Sequence, residues 1–294
     1  MANILIIGAA GQLGTDLGAE LERRGRSGDV AAVDIDEVDI CDHDGTRIFV
    51  HHRSPSLVIN LAAYHHVDTC ESTAASAFAT NAVAVHNLAR VCAEVDAVLV
   101  HFSTDFVFDG AKDRTEPFTE EDVPNPQSVY AASKLAGEHL VRQACDKHFV
   151  IRTCGLYGVA AAQGRSTNFV ETMLRLAGSG NPLRVVDDQR LTPTATMDLA
   201  SKVLDLITTG AYGLYHLTNG GSCTWYEFAT EIFRIVGLQP DLKSTTSEEY
   251  DAPARRPHYS VLDHVALRRA GLESMRPWKD ALADYIKVRQ ESAA

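Results

Sequence analysis

Short unbroken apolar runs alternate with longer segments whose apolar residues recur every three or four positions, and this rhythm organises the first half of the chain. Residues 3–7, 30–34, 57–63, 97–102 and 149–153 are too short and too uniformly apolar for amphipathic helices, and they read as strands buried on both faces. Between them, Leu13, Leu17 and Leu21 mark one face of a helix, and the alanine-rich stretch 68–95, interrupted by no proline, predicts a single long helix. A further helix spans the segment around Tyr130. Strand alternating with helix in this way predicts an α/β fold built on a doubly wound parallel sheet, Rossmann-like in layout. From about Gly164 the alternation loosens. Short strands at 183–186 and 214–217 and helices at 224–236, 264–270 and 278–288 suggest a smaller α/β C-terminal part that binds substrate. The expected division is therefore 1–153 for a dinucleotide-binding domain and 154–294 for a substrate-binding region, interleaved without a clean boundary.

The first strand runs directly into Gly8-Ala9-Ala10-Gly11-Gln12-Leu13-Gly14. Strand, glycine-rich turn and helix together form the opening of a dinucleotide-binding unit, in which the turn and the helix N-terminus approach a pyrophosphate closely. The spacing is G-x-x-G-x-x-G, which meets the usual fingerprint only in part. Asp34 ends the second strand 20 residues after Gly14, where a carboxylate accepts hydrogen bonds from an adenosine ribose. A carboxylate there repels a 2′-phosphate and so favours NADH over NADPH, although Arg23 and Arg24 are near enough in sequence to weaken that preference. Asp39 and Ile40 are candidates to cover the adenine. Small residues after the third strand, Ala62 and Ala63, leave room for a cofactor backbone or simply allow close packing.

A general acid/base is encoded further on. Tyr130 and Lys134 stand four apart in a helical segment, so they share one face about one turn apart. An ammonium at that distance favours the phenolate and tunes tyrosine towards proton transfer near neutral pH. Ser103-Thr104-Asp105 lies at the end of the fourth strand, the sheet edge at which ligands of parallel sheets bind. A Thr104 hydroxyl there reaches a carbonyl that Tyr130 protonates, or else it only caps the strand end. Asn168 opens a helix as a cap or as a substrate contact. Arg256 sits in a loop, where it holds a phosphate or forms a solvated charge pair.

Composition narrows the function. Of 294 residues 45% are hydrophobic and 22% charged, as in ordinary globular proteins. The formal net charge of −12 argues against a nucleic-acid partner, which needs a basic face. Six scattered cysteines without C-x-x-C spacing read as reduced thiols, and no apolar stretch is long enough to span a bilayer. The N-terminal residues carry no basic leader-like segment, so a cytoplasmic protein is expected. His65, His66 and Asp68 are adjacent on a loop and do not suggest convergence on one metal ion; no metal is expected.

These residues resemble the extended short-chain dehydrogenase/reductases, and within them the dTDP-4-dehydrorhamnose reductases. The resemblance spans nearly the full length. It rests on the glycine turn, Asn60-x-Ala62-Ala63-Tyr64 with Val67-Asp68, Ser103-Thr104-Asp105-x-Val107-Phe108-Asp109-Gly110, Tyr130-x-x-x-Lys134, Arg152-Thr153 with Tyr157-Gly158, Asn168-Phe169, Asp188-Gln189 and Arg256-Pro257. It implies hydride transfer from NADPH, or from NADH, to C4 of a nucleotide-linked 4-keto-6-deoxy sugar. Thr104, Tyr130 and Lys134 would be catalytic. Gly8, Gly11, Gln12, Leu13, Gly14, Asp34, Asp39, Ile40, Ala62, Ala63 and Tyr64 would line the cofactor together with Tyr130 and Lys134. Val67, Thr104, Asp105, Asn168 and Arg256 would meet the substrate, and the protein would act as a monomer or homodimer. One departure stands out: Gly155 occupies the place of a tryptophan in the resembled Arg-Thr-Ser-Trp-x-Tyr pattern, which removes an aromatic wall from the sugar. A dehydratase or epimerase of the same superfamily is a rival, and so is a non-catalytic sensor resembling the regulatory beta subunit of methionine adenosyltransferase.

Overall fold

The computed structural model describes residues 3–162 and 167–293. Its centre is a six-stranded, all-parallel sheet of β1 (Ile4–Ile7), β2 (Val30–Val33), β3 (Leu57–Asn60), β4 (Val98–Thr104), β5 (His148–Thr153) and β6 (Gly213–His216). Read across the sheet, the order is β6-β5-β4-β3-β1-β2. The chain starts at β1, winds outward to β2, then crosses back through β3 to build the other half. That reversal leaves a crevice at the carboxyl ends of β1 and β3, beside β4.

Alternation within each strand sends side chains to two separate cores. Ile4, Ile6, Ile59, Val100, Phe102 and Ile151 face α1 (Gln12–Arg23), whose Leu13, Leu17 and Leu21 form the expected stripe, and the helix Thr196–Ile207. Leu5, Ile7, Val58, Leu99 and Val150 face the other way, onto α2 (His43–Arg53), α3 (Val85–Glu94) and α4 (Val129–Ala144). The apolar pattern does not announce α2, because only Val50 and Thr46 of its residues are buried.

The alanine-rich stretch 68–95 is not one helix. It breaks at Thr73 between Val67–Ser72 and Ala74–Phe78, then widens into a π-helical segment, Ala79–Ala84, before α3. Buried Asn81 occupies the widened turn, where its amide pairs with both backbone groups of Tyr64 and donates to Ser133. Such bulges recur where a helix must present a polar group at a site. The opposing α4 comes in very close. A Cβ on Gly137 would lie 2.2 Å from the Asn81 carbonyl oxygen, so only glycine fits there.

A third core, outside the main sheet, gathers Tyr157, Val170, Met173, Leu183, Phe228, Trp278, Leu282 and Tyr285. It joins the helices Phe169–Ala177, Trp225–Val236 and Trp278–Ala293 to a two-stranded parallel pair, Leu183–Val186 with Leu242–Thr245. Strand β6 and the helix Thr196–Ile207 come from this half of the chain yet belong to the main sheet and its cover. Among the described residues no helix is long and apolar enough to cross a membrane.

Candidate active site

A cleft of about 800 Å³ runs along the carboxyl edge of the sheet. One end is the glycine turn. Gly8 has φ +82°, and a Cβ there would sit 3.0 Å from the Ala62 nitrogen; a Cβ on Gly14 would sit 2.5 Å from the Ala9 carbonyl oxygen. The turn therefore depends on glycine at both places. No side chain caps the N-terminus of α1, whose N-cap is Gly11. Uncapped first-turn N–H groups, glycine-lined backbone and the positive end of the helix dipole suit a pyrophosphate. The donor set fits a dinucleotide, with Gly8, Gly11, Gln12, Leu13, Gly14, Ala62 and Ala63 all lining the cleft.

Other expected cofactor residues are placed around this core in different ways. Asp34 closes onto the turn itself, accepting from the Ala10 amide at 2.9 Å and the Ile35 amide at 2.8 Å. Arg23 and Arg24 do not temper it. They lie at the far end of α1, both paired with Glu20, and Arg24 also binds Asp205. Asp39 borders a separate shallow pocket next to α2, and the Ile40 side chain is buried in the core beneath it. Tyr64 is held by Asn81 at its backbone and by Thr73 at its hydroxyl, 3.1 Å away.

The middle of the cleft gathers the expected acid/base residues. Ser128 caps α4 by accepting from the Ala131 amide, which sets Tyr130 and Lys134 on the face towards β4. Thr104 ends β4, and Tyr130, Lys134, Thr104 and Asp105 line one continuous space. Burial holds the Tyr130 phenol well above its ordinary pKa, with a Thr104 hydrogen bond opposing the shift. The expected depression by Lys134 is not what sets the phenol: removing a phenolate from water dominates, and Asp105, Cys70 and Cys154 push the same way. Burial likewise lowers Lys134 to about 8, opposed by Glu138 one turn on. Asp105 is raised to about 6 by burial, against hydrogen bonds from Cys154, Ser260 and Thr104.

Beneath this face, Arg152 on β5 makes a two-pronged ion pair with Glu138 on α4 at 2.9 and 2.7 Å, and the Ser103 hydroxyl donates to the same carboxylate. The pair is almost fully buried and pins α4 to β4 and β5 directly behind Lys134. Neither Asn81 nor this network is evident from local spacing, since each depends on residues far apart in sequence.

Two expected substrate residues have partners inside the protein. Asn168 caps the helix Phe169–Ala177 by accepting from the Glu171 amide, and its amide donates to Gln12 Oε1 at 2.9 Å. Arg256 pairs with Asp68 at 2.9 Å and borders a neighbouring pocket with Lys112, Arg255 and His258. Val67 lines the main cleft. His65 and His66 stack on one another, while Asp68 is turned towards Arg256.

Sheet order, glycine turn and the Thr104–Tyr130–Lys134 grouping are those of an extended short-chain dehydrogenase/reductase. Residues 1–291 match the family described as RmlD substrate binding domain, and the chain belongs to that family. A dTDP-4-dehydrorhamnose reductase of Streptomyces griseus is 40% identical over 287 residues, covering 95% of this chain and 91% of that protein. The spore coat polysaccharide biosynthesis protein SpsK of Bacillus subtilis is 39% identical, covering 99% of each. Among solved structures, a dTDP-4-dehydrorhamnose reductase from Clostridium acetobutylicum aligns with a TM-score of 0.92 and 41% identity, covering 98% of this chain and 99% of that one. The Bacillus anthracis reductase in complex with NADP aligns with a TM-score of 0.92 at 37% identity, with the same coverage.

Proposed function

We propose that this protein is an NADPH-dependent reductase of a nucleotide-linked 4-keto-6-deoxy sugar, converting dTDP-4-dehydro-L-rhamnose to dTDP-L-rhamnose. The observation that carries this reading is the convergence of Tyr130, Lys134 and Thr104, from α4 and β4, on a cleft that also holds an uncapped, glycine-lined helix N-terminus. Relatives bearing the reductase name over nearly the whole chain support the choice of substrate.

Reduced nicotinamide, when bound, supplies the hydride. The protein's own residues do the rest. Tyr130, kept protonated by burial, donates its proton to the C4 oxygen as negative charge develops there. Thr104 donates a second hydrogen bond to that oxygen, and the Lys134 ammonium steadies the phenolate left behind while contacting the ribose. Glu138, one turn along α4, favours the Lys134 ammonium electrostatically. Asp105 meets the sugar. Asp34 fits a ribose diol better than a 2′-phosphate, so NADH serves as a second donor. The region 1–153 holds the cofactor and contributes Val67, Thr104 and Asp105 to the sugar, while 154–294, interleaved with it, holds the rest of the sugar nucleotide; the enzyme works in the cytoplasm as a monomer or homodimer.

The test is NADPH oxidation with dTDP-4-dehydro-L-rhamnose, by wild type and by Tyr130→Phe. Wild type should turn over. The variant should lose roughly 10²–10⁴-fold in kcat with its NADPH affinity kept, since only the transferable proton is gone. Absence of turnover by wild type would overturn the reading, and undiminished turnover by the variant would remove Tyr130 from its role.

A further inference from the structure

Beyond Tyr130 the cleft is closed by Cys154, Gly155, Leu156, Leu191 and an indole, that of Trp225. Trp225 is remote in sequence, the first residue of the helix Trp225–Val236. Its position is tightly set. Thr224 and Glu227 form a reciprocal capping box at 3.1 and 2.8 Å, and Thr224 also donates to Asp187 at 2.6 Å. Behind the indole stand Phe169, with ring centroids 4.6 Å apart, and Phe228. An aromatic residue fixed this way presents a rigid apolar surface that loses little freedom on binding.

The indole is only half-buried, and its N–H meets no acceptor among the described residues. Its Cη2 lies 3.7 Å from where a Cβ on Gly155 would be, and Leu191 Cδ1 lies 3.1 Å from the same point. Gly155 itself has φ +53°, a backbone conformation that disfavours any side chain. Space next to the strand end is thus filled from across the cleft by Trp225 and Leu191.

We infer that Trp225 is the aromatic wall of the sugar subsite and the residue that selects for a 6-deoxy sugar. The inference rests on the reductase reading above. A 6-deoxyhexose offers an apolar edge, its C5–C6 methyl side, and the indole with Leu191 offers a matching apolar face. A C6 hydroxyl set against the ring face and Leu191, away from the N–H edge, would give up water without gaining a partner. The sugar wall absent from the strand end is therefore supplied by a helix N-terminus.

Steady-state kinetics of the full-length enzyme test this with Trp225→Ala and Trp225→Phe. Trp225→Ala should raise KM for the dTDP-4-keto sugar by roughly tenfold to a hundredfold, the loss expected for one large apolar contact. Its kcat should change little and its KM for NADPH not at all, which also shows that the fold is intact. Trp225→Phe should keep most of the affinity. Discrimination against a 6-hydroxy analogue should fall in Trp225→Ala. A second readout is available because the chain has only two tryptophans and the other, Trp278, is buried in the third core. Product dTDP-L-rhamnose should quench the indole emission of wild type and not of Trp225→Phe. Wild-type KM in Trp225→Ala, or quenching that persists in Trp225→Phe, overturns the inference while leaving the reductase reading intact. A wild-type enzyme that turns over no nucleotide 4-keto sugar overturns both.

Discussion

Asp105 Oδ2 lies 2.9 Å from the Cys154 sulfur, so the end of β4 and the residue following β5 are tied together by a buried thiol–carboxyl contact within the cleft. A carboxyl in that position is held partly neutral. Its pKa of about 6 comes from burial, with Cys154, Ser260 and Thr104 working against it. In the unfolded chain an aspartate titrates near 3.9. Between those values the native state binds more protons than the unfolded state, so this group's contribution to stability falls as pH rises from about 4 to 6 and stays unfavourable above.

Asp105→Asn removes that penalty while keeping the acceptor for Thr104. Urea unfolding at pH 8 should show the variant more stable than wild type by on the order of 1–3 kcal/mol, with the difference shrinking towards pH 4. The same variant should turn over more slowly if the carboxylate meets the sugar. An equal stability difference at both pH values would show that Asp105 does not titrate as placed.

Lys134 sets an alkaline limit. Burial lowers it to about 8, and in the proposed mechanism loss of its charge removes the group that steadies the Tyr130 phenolate. The kcat profile should decline through roughly that pH in wild type. In Lys134→Met, activity should be lower by about 10²-fold and this limb should be absent. A limb that survives in the variant belongs to another group.

Cofactor choice reports on Asp34. With Arg23 and Arg24 engaged by Glu20 at the far end of α1, nothing from those two side chains offsets the Asp34 carboxylate. Asp34→Ala should lower KM for NADPH and raise KM for NADH, shifting their ratio by roughly tenfold. An unchanged ratio would show that the preference is set elsewhere.

The Arg152–Glu138 pair can be broken from one side. Glu138→Gln retains the shape but leaves a buried guanidinium with a neutral partner, and Glu138→Ala leaves it with only the 3.4 Å contact to His216. Chemical denaturation should show a loss of about 3–5 kcal/mol for the alanine variant and less for glutamine. The same substitutions should reduce kcat more than KM, because the Glu138 charge favours the Lys134 ammonium.

Sequence alone carried the fold a long way, because buried parallel strands and amphipathic helices write their periods locally. Gly8–Gly14, Thr104, Tyr130 and Lys134 were legible for the same reason: each sits at a strand end or on one helix face. What escaped depended on long-range approach. Asn81 looked like one more polar residue in an alanine-rich helix, and only the opposing Gly137 explains why the helix widens there. Arg256 and Asn168 are polar residues whose partners, Asp68 and Gln12, lie well over a hundred positions away. Trp225 gave no signal beside Gly155, since 70 residues separate two positions that meet across one cleft.

The widened turn at Ala79–Ala84 has a genetic consequence. A π-helical segment lodges an extra residue in the helix, and each residue of an ordinary helix advances the direction of its side chains by about 100°. Deleting a single residue in this stretch would let the segment relax to regular helix with α3 still in phase, but would withdraw Asn81 from Tyr64 and Ser133. The repetitive composition looks permissive, yet this is a place where the chain tolerates substitution far better than a change of length.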